Sequence, residues 1–388
     1  MEKDIKRIHI LYNCYWGSGM SGGDRRLIEI LRLWQDRASL DIYLYTTNNF
    51  SNLLKEEKVF ISKIFITDSE KKSNIIASYF KRQKKCQEIL MTNIIDGDVI
   101  YSPTDIMPDV IPAIYAKKHF KEHVKWGVIT YHIYEAFYKR PGNILTNFLS
   151  GLQQKYDIKL AKKYADVMMS TSAVVLKLFK NQGWNENRLR LIDCAVDIDA
   201  ISNANDVISG YDAVFLARLN YSKGIMELPE IWNRVCEKHP TAKLAIVGNG
   251  SEEIVKEMKE KIDLAGVGDN IDMCGFMETS EVFSLMKNSK LFLFTSHEEG
   301  WGMAIAEAMV CGLPVVAYDL EIYKYIFREG ILVCDLQDVD NMAKKVCQLL
   351  DNDEYRKKLG LEGKKYIESH YSFELTAKKE LKILTNLL

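Results

Sequence analysis

The sequence predicts an α/β protein made of two doubly wound parallel sheets in tandem. Three observations carry this. At 388 residues the chain exceeds what one hydrophobic core organises. Strand-length apolar segments alternate with helical periodicity along it, the signature of βαβ units. The alternation is broken by a polar stretch over 197–211, rich in Asn, Asp, Ser and Gly, which reads as the linker.

The first series opens with a buried strand over 5–13. A glycine-rich loop follows (Gly17-Ser-Gly-Met-Ser-Gly-Gly23), then a helix with Leu27, Ile28, Ile30, Leu31 and Trp34 at apolar positions, then a strand over 40–45. Strands are expected at 99–101, 126–131, 166–170 and 190–192, with helices over about 143–164 and 174–181. The second series places strands at 213–217, 242–247, 271–274, 291–295 and 314–318. Helices separate them at 226–238, 252–265, 280–287 and 303–311. A last amphipathic helix, 373–388, sets Leu375, Leu381, Leu384 and Leu388 on its apolar side. Open sheets of this kind bind ligands beyond the carboxyl ends of their strands, so a cleft between the two domains is the expected site.

Composition narrows the function. The start, Met-Glu-Lys-Asp-Ile-Lys-Arg, lacks the apolar run of a signal peptide, and no segment approaches the ~20 apolar residues that cross a bilayer. The expectation is a cytoplasmic protein, soluble or peripheral on the inner membrane face. The eight cysteines are scattered without a C-x-x-C pair, which fits reduced thiols better than a zinc site or a disulfide framework. Net charge is −1, yet residues 1–200 hold 30 basic against 23 acidic side chains, a surplus of seven. A basic N-terminal half suits an anionic membrane surface or a phosphate-bearing acceptor, and equally an unremarkable imbalance. No nucleic-acid-binding motif is present.

The most informative stretch is Ser296-His-Glu-Glu-Gly-Trp-Gly-Met-Ala-Ile-Ala-Glu-Ala-Met-Val-Cys-Gly-Leu-Pro-Val-Val-Ala317. It runs from a strand end through Gly300 and Gly302 into a helix and on to the next strand. The glycines let backbone amides approach a ligand, and a helix N-terminus suits phosphate. Glu299 precedes the helix. Glu307, eight residues on, sits among Ile305, Ala306, Ala308 and Met309, where a fixed carboxylate suits hydrogen bonding to sugar or ribose hydroxyls. Taken alone, the pattern fits better a capping Glu299 and a solvated Glu307.

The stretch resembles the E-x7-E signature of retaining glycosyltransferases with the GT-B fold, especially glycosyltransferase family four (glycosyl transferases group 1), with Trp301 where Phe is usual. Other landmarks resemble that family in order across nearly the whole chain. Ala217-Arg-Leu-Asn-Tyr-Ser-Lys-Gly224 resembles the segment that holds the donor diphosphate, so Arg218 and Lys223 would neutralise the leaving pyrophosphate. Val247-Gly-Asn-Gly250 resembles the following Val-Gly-x-Gly turn, and Gly275-Phe-Met277 the segment whose backbone meets the donor base. Tyr164-Ala-Asp-Val-Met-Met-Ser-Thr-Ser172 resembles the last strand of the N-terminal domain. Gly22-Gly23 resembles the Gly-Gly loop beside acceptor and donor phosphate, and Thr130-Tyr-His132 the strand-end histidine segment near the transferred sugar. Two segments depart from the pattern: Cys194-Ala-Val-Asp197 stands for Asn-Gly-Val-Asp, and Asp319-Leu-Glu-Ile-Tyr323 for a Gly-Gly-x-x-Glu loop. His9, His119, His123, His239 and His370 match no motif and read as structural or surface residues.

The resemblance implies an acceptor-binding domain over 1–198, a nucleotide-sugar-binding domain over 199–370 and a C-terminal helix, 371–388, packing back toward the first. It implies a hexosyltransferase in polysaccharide biosynthesis, working without a cofactor or metal. The donor would be a UDP-sugar or GDP-mannose, and the acceptor a saccharide or glycolipid. The expected catalytic residues are Arg218, Lys223, Glu299 and His132. The expected donor-binding residues are Gly22, Gly23, Gly248, Gly275, Phe276, Met277, Gly300, Trp301, Gly302, Met303, Ala304 and Glu307. Peripheral contact of the N-terminal domain with an anionic membrane is a further expectation. Three alternatives stay open: a sugar phosphorylase or synthase on the same fold, a non-catalytic nucleotide-sugar binder, and a nicotinamide oxidoreductase, which lacks here its Gly-x-Gly-x-x-Gly with a downstream acid.

Overall fold

The computed structural model describes residues 6–17, 21–37, 39–68, 75–134, 144–205 and 209–387. Two compact units emerge, Met1–Cys194 with Phe373–Leu388, and Ala195–Ser372.

The first unit contains β1 (Lys6–Tyr12), α1 (Gly22–Trp34), β2 (Leu40–Thr46), α2 (Asn48–Glu56), β3 (Lys63–Ile66), α3 (Ile75–Asn93), β4 (Val99–Ser102), α4 (Met107–Phe120), β5 (Lys125–Ile129), α5 (Ile144–Tyr164), β6 (Val167–Ser170), α6 (Ala173–Asn181) and β7 (Leu189–Leu191). Its strands form one parallel sheet in the order β3-β2-β1-β4-β5-β6-β7. Strand alternation divides the core. Ile8, Ile10 and Tyr12 of β1 join a cluster with Leu27, Leu31 and Trp34 of α1, while Leu11 faces a second cluster with Cys86, Val110, Ile114 and Trp126. His9, on that second side, is fully buried with its ring nitrogens 2.9 Å from the Tyr45 hydroxyl and 2.8 Å from Asp98 Oδ2, which accounts for it structurally.

The C-terminal helix, Phe373–Thr385, belongs to this unit. It buries Phe373, Thr376, Ala377, Glu380 and Leu384. Leu375, expected on the apolar side, is 46% exposed, because the 3.6-residue repeat through 373, 377, 380 and 384 leaves it off the buried face. Leu388 lies outside the described residues. Glu380 is fully buried; Arg26 Nη2 donates to its Oε2, the Tyr101 hydroxyl donates to its Oε1, and Trp34 Nε1 donates to the Ala377 carbonyl at 3.1 Å.

The second unit contains α7 (Ile198–Asn203), β8 (Ala213–Leu216), α8 (Leu228–Cys236), β9 (Leu244–Val247), α9 (Glu252–Leu264), β10 (Ile271–Gly275), α10 (Thr279–Lys287), β11 (Leu291–Phe294), α11 (Met303–Val310), β12 (Val315–Tyr318), α12 (Tyr323–Ile326), β13 (Ile331–Cys334), α13 (Val339–Asp351) and α14 (Asp353–His370). Its sheet is parallel, in the order β10-β9-β8-β11-β12-β13. Part of the stretch read as linker is the short helix α7, whose Asp197 side chain accepts from the Ala200 amide at 2.9 Å. Asn, Asp and Ser mark helix starts as well as loops, so composition alone hid it. All eight cysteines are unpaired thiols.

Candidate active site

In both sheets the order of strand addition reverses once, between β1 and β4 in the first unit and between β8 and β11 in the second. Beyond the carboxyl ends of such neighbouring strands the two outgoing loops diverge and leave a crevice. In the second unit these loops carry the segments that the sequence singles out.

The loop after β8 is latched to the loop after β11. The His297 amide donates to the Ser222 carbonyl at 2.8 Å, and the Thr295 hydroxyl donates to the Lys223 carbonyl at 3.0 Å. Gly224 makes this approach possible. Its φ is +62°, and a Cβ there would lie 2.0 Å from the Thr295 carbonyl oxygen. The latch brings Lys223 Nζ to 2.6 Å from Glu299 Oε1, across 76 positions of sequence, with both side chains largely buried. Arg218 stands in the same loop, exposed, and pairs with no acid among the described residues. Behind the latch, Glu227 receives the Tyr318 hydroxyl on one oxygen and lies 2.7 Å from His297 Nε2 with the other.

Gly300, Trp301 and Gly302 lead into α11. Trp301 is buried, edge-on to Phe327 at 5.7 Å and to Tyr371 at 5.2 Å. Gly302, φ +99°, occupies the N-cap, so no side chain caps the first turn of α11, which begins with half-buried Met303 and Ala304. That turn presents unpaired amides and the positive end of the helix dipole. The Tyr323 ring flanks Gly302, and its buried hydroxyl has no hydrogen-bond partner among the described residues. On α11, Ile305, Ala306, Ala308 and Met309 are buried while Glu307 is half-buried. The Glu307 carboxyl has no hydrogen-bond partner among the described residues. Burial pushes it up to about 7, with the negative charge of Asp197 adding to the effect.

Gly248 and Gly250 have a packing reason. A Cβ at Gly248 would lie 1.8 Å from the Ala217 carbonyl oxygen, and one at Gly250 2.6 Å from that of Leu219. Gly275, φ +68°, ends β10 at a register shift and accepts from the Gly248 amide at 2.8 Å. Phe276 is 68% exposed beyond it, and Met277 is half-buried.

Gly22, Gly23 and His132 belong to the first unit. Gly22 and Gly23 are the first turn of α1, behind a capping box in which the Asp24 amide donates to Ser21 Oγ at 3.2 Å and the Ser21 amide donates to Asp24 Oδ2 at 2.6 Å. Ser18, Gly19 and Met20 of the expected loop lie outside the described residues. His132 is exposed beyond β5, edge-on to Tyr134 at 5.1 Å. Gln154 holds its segment: Nε2 donates to the His132 carbonyl at 2.9 Å and to Asp105 Oδ2 at 3.0 Å, and Oε1 accepts from the Tyr134 amide at 2.8 Å.

Sequence reasoning missed the acids at this sheet's own reversal point. Asp109 is fully buried, accepts from the Asn13 amide and from the Thr104 hydroxyl at 2.6 Å, and is pushed up to about 7 by burial. Asp105 is pushed up to about 6 by the same cause. The available signal was Pro108-Asp109, a proline and an acid in succession, which marks the first turn of a helix.

Residues 204–366 fit the family model described as Glycosyl transferases group 1. The 2-deoxystreptamine N-acetyl-D-glucosaminyltransferase of Niallia circulans is 22% identical over 283 residues, 68% of this chain and 69% of that protein. The poly(ribitol-phosphate) alpha-N-acetylglucosaminyltransferase of Staphylococcus aureus is 27% identical over 291 residues, 72% of this chain but only 54% of that one. Among solved structures, Anabaena Alr3699/HepE in complex with UDP superposes with a TM-score of 0.75 at 18% identity, covering 98% of this chain and 100% of the other. A glycosyltransferase from Rickettsia africae does so with 0.74 at 17%, covering 99% and 98%. The chain has the fold of GT-B glycosyltransferases, and within its second unit residues 204–366 are similar to the glycosyl transferases group 1 family.

Proposed function

We propose that the protein transfers a sugar, with retention of anomeric configuration and without metal, from a UDP-sugar to a saccharide or lipid-linked acceptor. The observation that carries this reading is the meeting of Lys223, Glu299 and the uncapped start of α11 at the reversal point of the second sheet. UDP is preferred over GDP because the Anabaena structure and that of Staphylococcus aureus TarM are both complexes with UDP. N-acetylglucosaminyl donors are the first sugars to try, since two of the sequence relatives carry that name.

In this reading Lys223, Arg218 and the amides of residues 302–304 stabilise charge as it develops on the departing diphosphate. Glu299, released from Lys223 as the diphosphate engages that ammonium, accepts from sugar hydroxyls. Glu307 accepts from the ribose hydroxyls. The sugar–phosphate bond loosens toward an oxocarbenium-like state, the acceptor hydroxyl attacks the same face, and the leaving phosphate oxygen takes its proton. Gly22, Gly23 and His132 orient sugar and acceptor from the first unit. The basic first unit also meets an anionic membrane surface, where a lipid-linked acceptor resides.

The test is calorimetric titration of the metal-free protein with UDP and with GDP, on the wild type and on Lys223→Ala. The expected result is UDP binding that falls at least tenfold in the variant. Absence of binding by either nucleotide, or a Lys223→Ala protein that binds as tightly as the wild type, overturns the assignment.

A further inference from the structure

The helix α5 carries an exposed face that the site above does not use. Among its described side chains, Ile144 is 64% exposed, Leu149 45%, Leu152 49% and Tyr156 56%. At about 100° per residue these four fall within an arc of roughly 140°. Lys155, Lys159 and Lys163 are exposed and project within the same arc, so the face is apolar over its first three turns and basic over its last. The acid of this helix, Asp157, is buried on the opposite side. α4 packs against α5, and α3 against α4. Their outer faces repeat the composition, with Phe80 55% and Tyr115 46% exposed beside exposed Lys81, Lys84, Lys85 and Lys118.

Exposed large apolar side chains grouped on one helix call for an occupant. Cationic side chains interleaved with them fit a surface with an apolar interior and an anionic face. We propose that the α3–α4–α5 face of the first unit is a docking surface for an anionic lipid bilayer, with α5 lying in the headgroup plane. Ile144, Leu149, Leu152 and Tyr156 enter the acyl boundary, and the lysines meet lipid phosphates. This rests on the membrane contact included in the proposed function and names the element that makes it. No described helix is long and apolar enough to cross a membrane, so the attachment made here is lateral and reversible.

The experiment is sedimentation of the full chain with vesicles of phosphatidylcholine alone and of phosphatidylcholine with phosphatidylglycerol. It uses the wild type, a Leu149→Ser/Leu152→Ser variant and a Lys155→Gln/Lys159→Gln/Lys163→Gln variant. The substituted residues are exposed, and circular dichroism and UDP titration check that the fold and the nucleotide site persist. The expected result is wild-type binding to the phosphatidylglycerol vesicles, weakened by salt. The leucine variant should bind at least tenfold more weakly, and each lost lysine should cost about fivefold. Wild-type binding that both variants retain overturns the role of α5 while leaving the membrane contact standing. A wild type that binds neither vesicle overturns both. A dimer in gel filtration that the leucine variant dissociates assigns the face to a second copy of the chain and overturns the lipid assignment.

Discussion

Replacing Glu307 by glutamine should stabilise the protein and weaken its nucleotide binding, two effects of opposite sign from one atom pair. Burial and the charge of Asp197 raise the Glu307 carboxyl from 4.5 to about 7 in the folded chain. The folded state therefore holds this proton more tightly than the unfolded state does. The stabilising effect of the protonated acid is complete below pH ~4.5 and is lost as pH rises through about 7. At ~1.4 kcal/mol per pH unit the ceiling on that loss is near 3 kcal/mol, and the half-exposed position reduces it to about 1–2 kcal/mol. Glutamine mimics the neutral acid, so Glu307→Gln should raise Tm by roughly 3–6 °C at pH 8 and leave it unchanged near pH 4.5. UDP affinity at pH 8 should fall, because the amide is a poorer acceptor for two ribose hydroxyls than a carboxylate. In the wild type, affinity should fall as pH drops below 7 and the acid protonates. Differential scanning calorimetry across pH 4.5–8 and UDP titration at each pH read both. A variant less stable than the wild type at pH 8, or a Tm difference that does not vary with pH, would refute the argument.

Three further outcomes follow from the packing. Gly224→Ala places a methyl group 2.0 Å from the Thr295 carbonyl at positive φ, so it should cost several kcal/mol by denaturant unfolding and disrupt the Lys223–Glu299 pair. Glu380→Ala leaves the Arg26 guanidinium buried without its acid and should cost about 3–5 kcal/mol, whereas replacing both partners with apolar residues should recover much of it in a double-mutant cycle. Tyr323→Phe removes a buried hydroxyl that has no hydrogen-bond partner among the described residues, so it should leave stability equal or raise it by up to about 1 kcal/mol.

The parallel architecture was legible because strands buried on both faces read as apolar runs, as 244–247 and 291–294 do. The second-unit site was legible as separate motifs. Their union was not: the Lys223–Glu299 contact depends on Gly224 meeting Thr295, a close approach that no local pattern announces. α4 escaped notice because it is apolar almost all round and carries Pro108 and Pro112, which read as breaks. The buried Asp109 and Gln154 escaped for a related reason. Their partners, Asn13 and Asp105, come from other loops of the sheet, and sequence periodicity carries no term for such pairings.

The return of the last helix to the first unit has a consequence for synthesis. The second unit is one unbroken segment, 195–372, and can fold as soon as it leaves the ribosome. The first unit waits for residues 373–387, since Arg26, Trp34 and Tyr101 all complete their hydrogen bonds on that helix. At ordinary elongation rates the interval is roughly 10–35 s. During it the unfinished sheet carries a buried arginine without its counter-ion and an uncovered apolar face. The nascent first unit is thus the part of the chain that a chaperone would hold longest, and emergence of residues 373–387, rather than of the N-terminal half, sets when it can close.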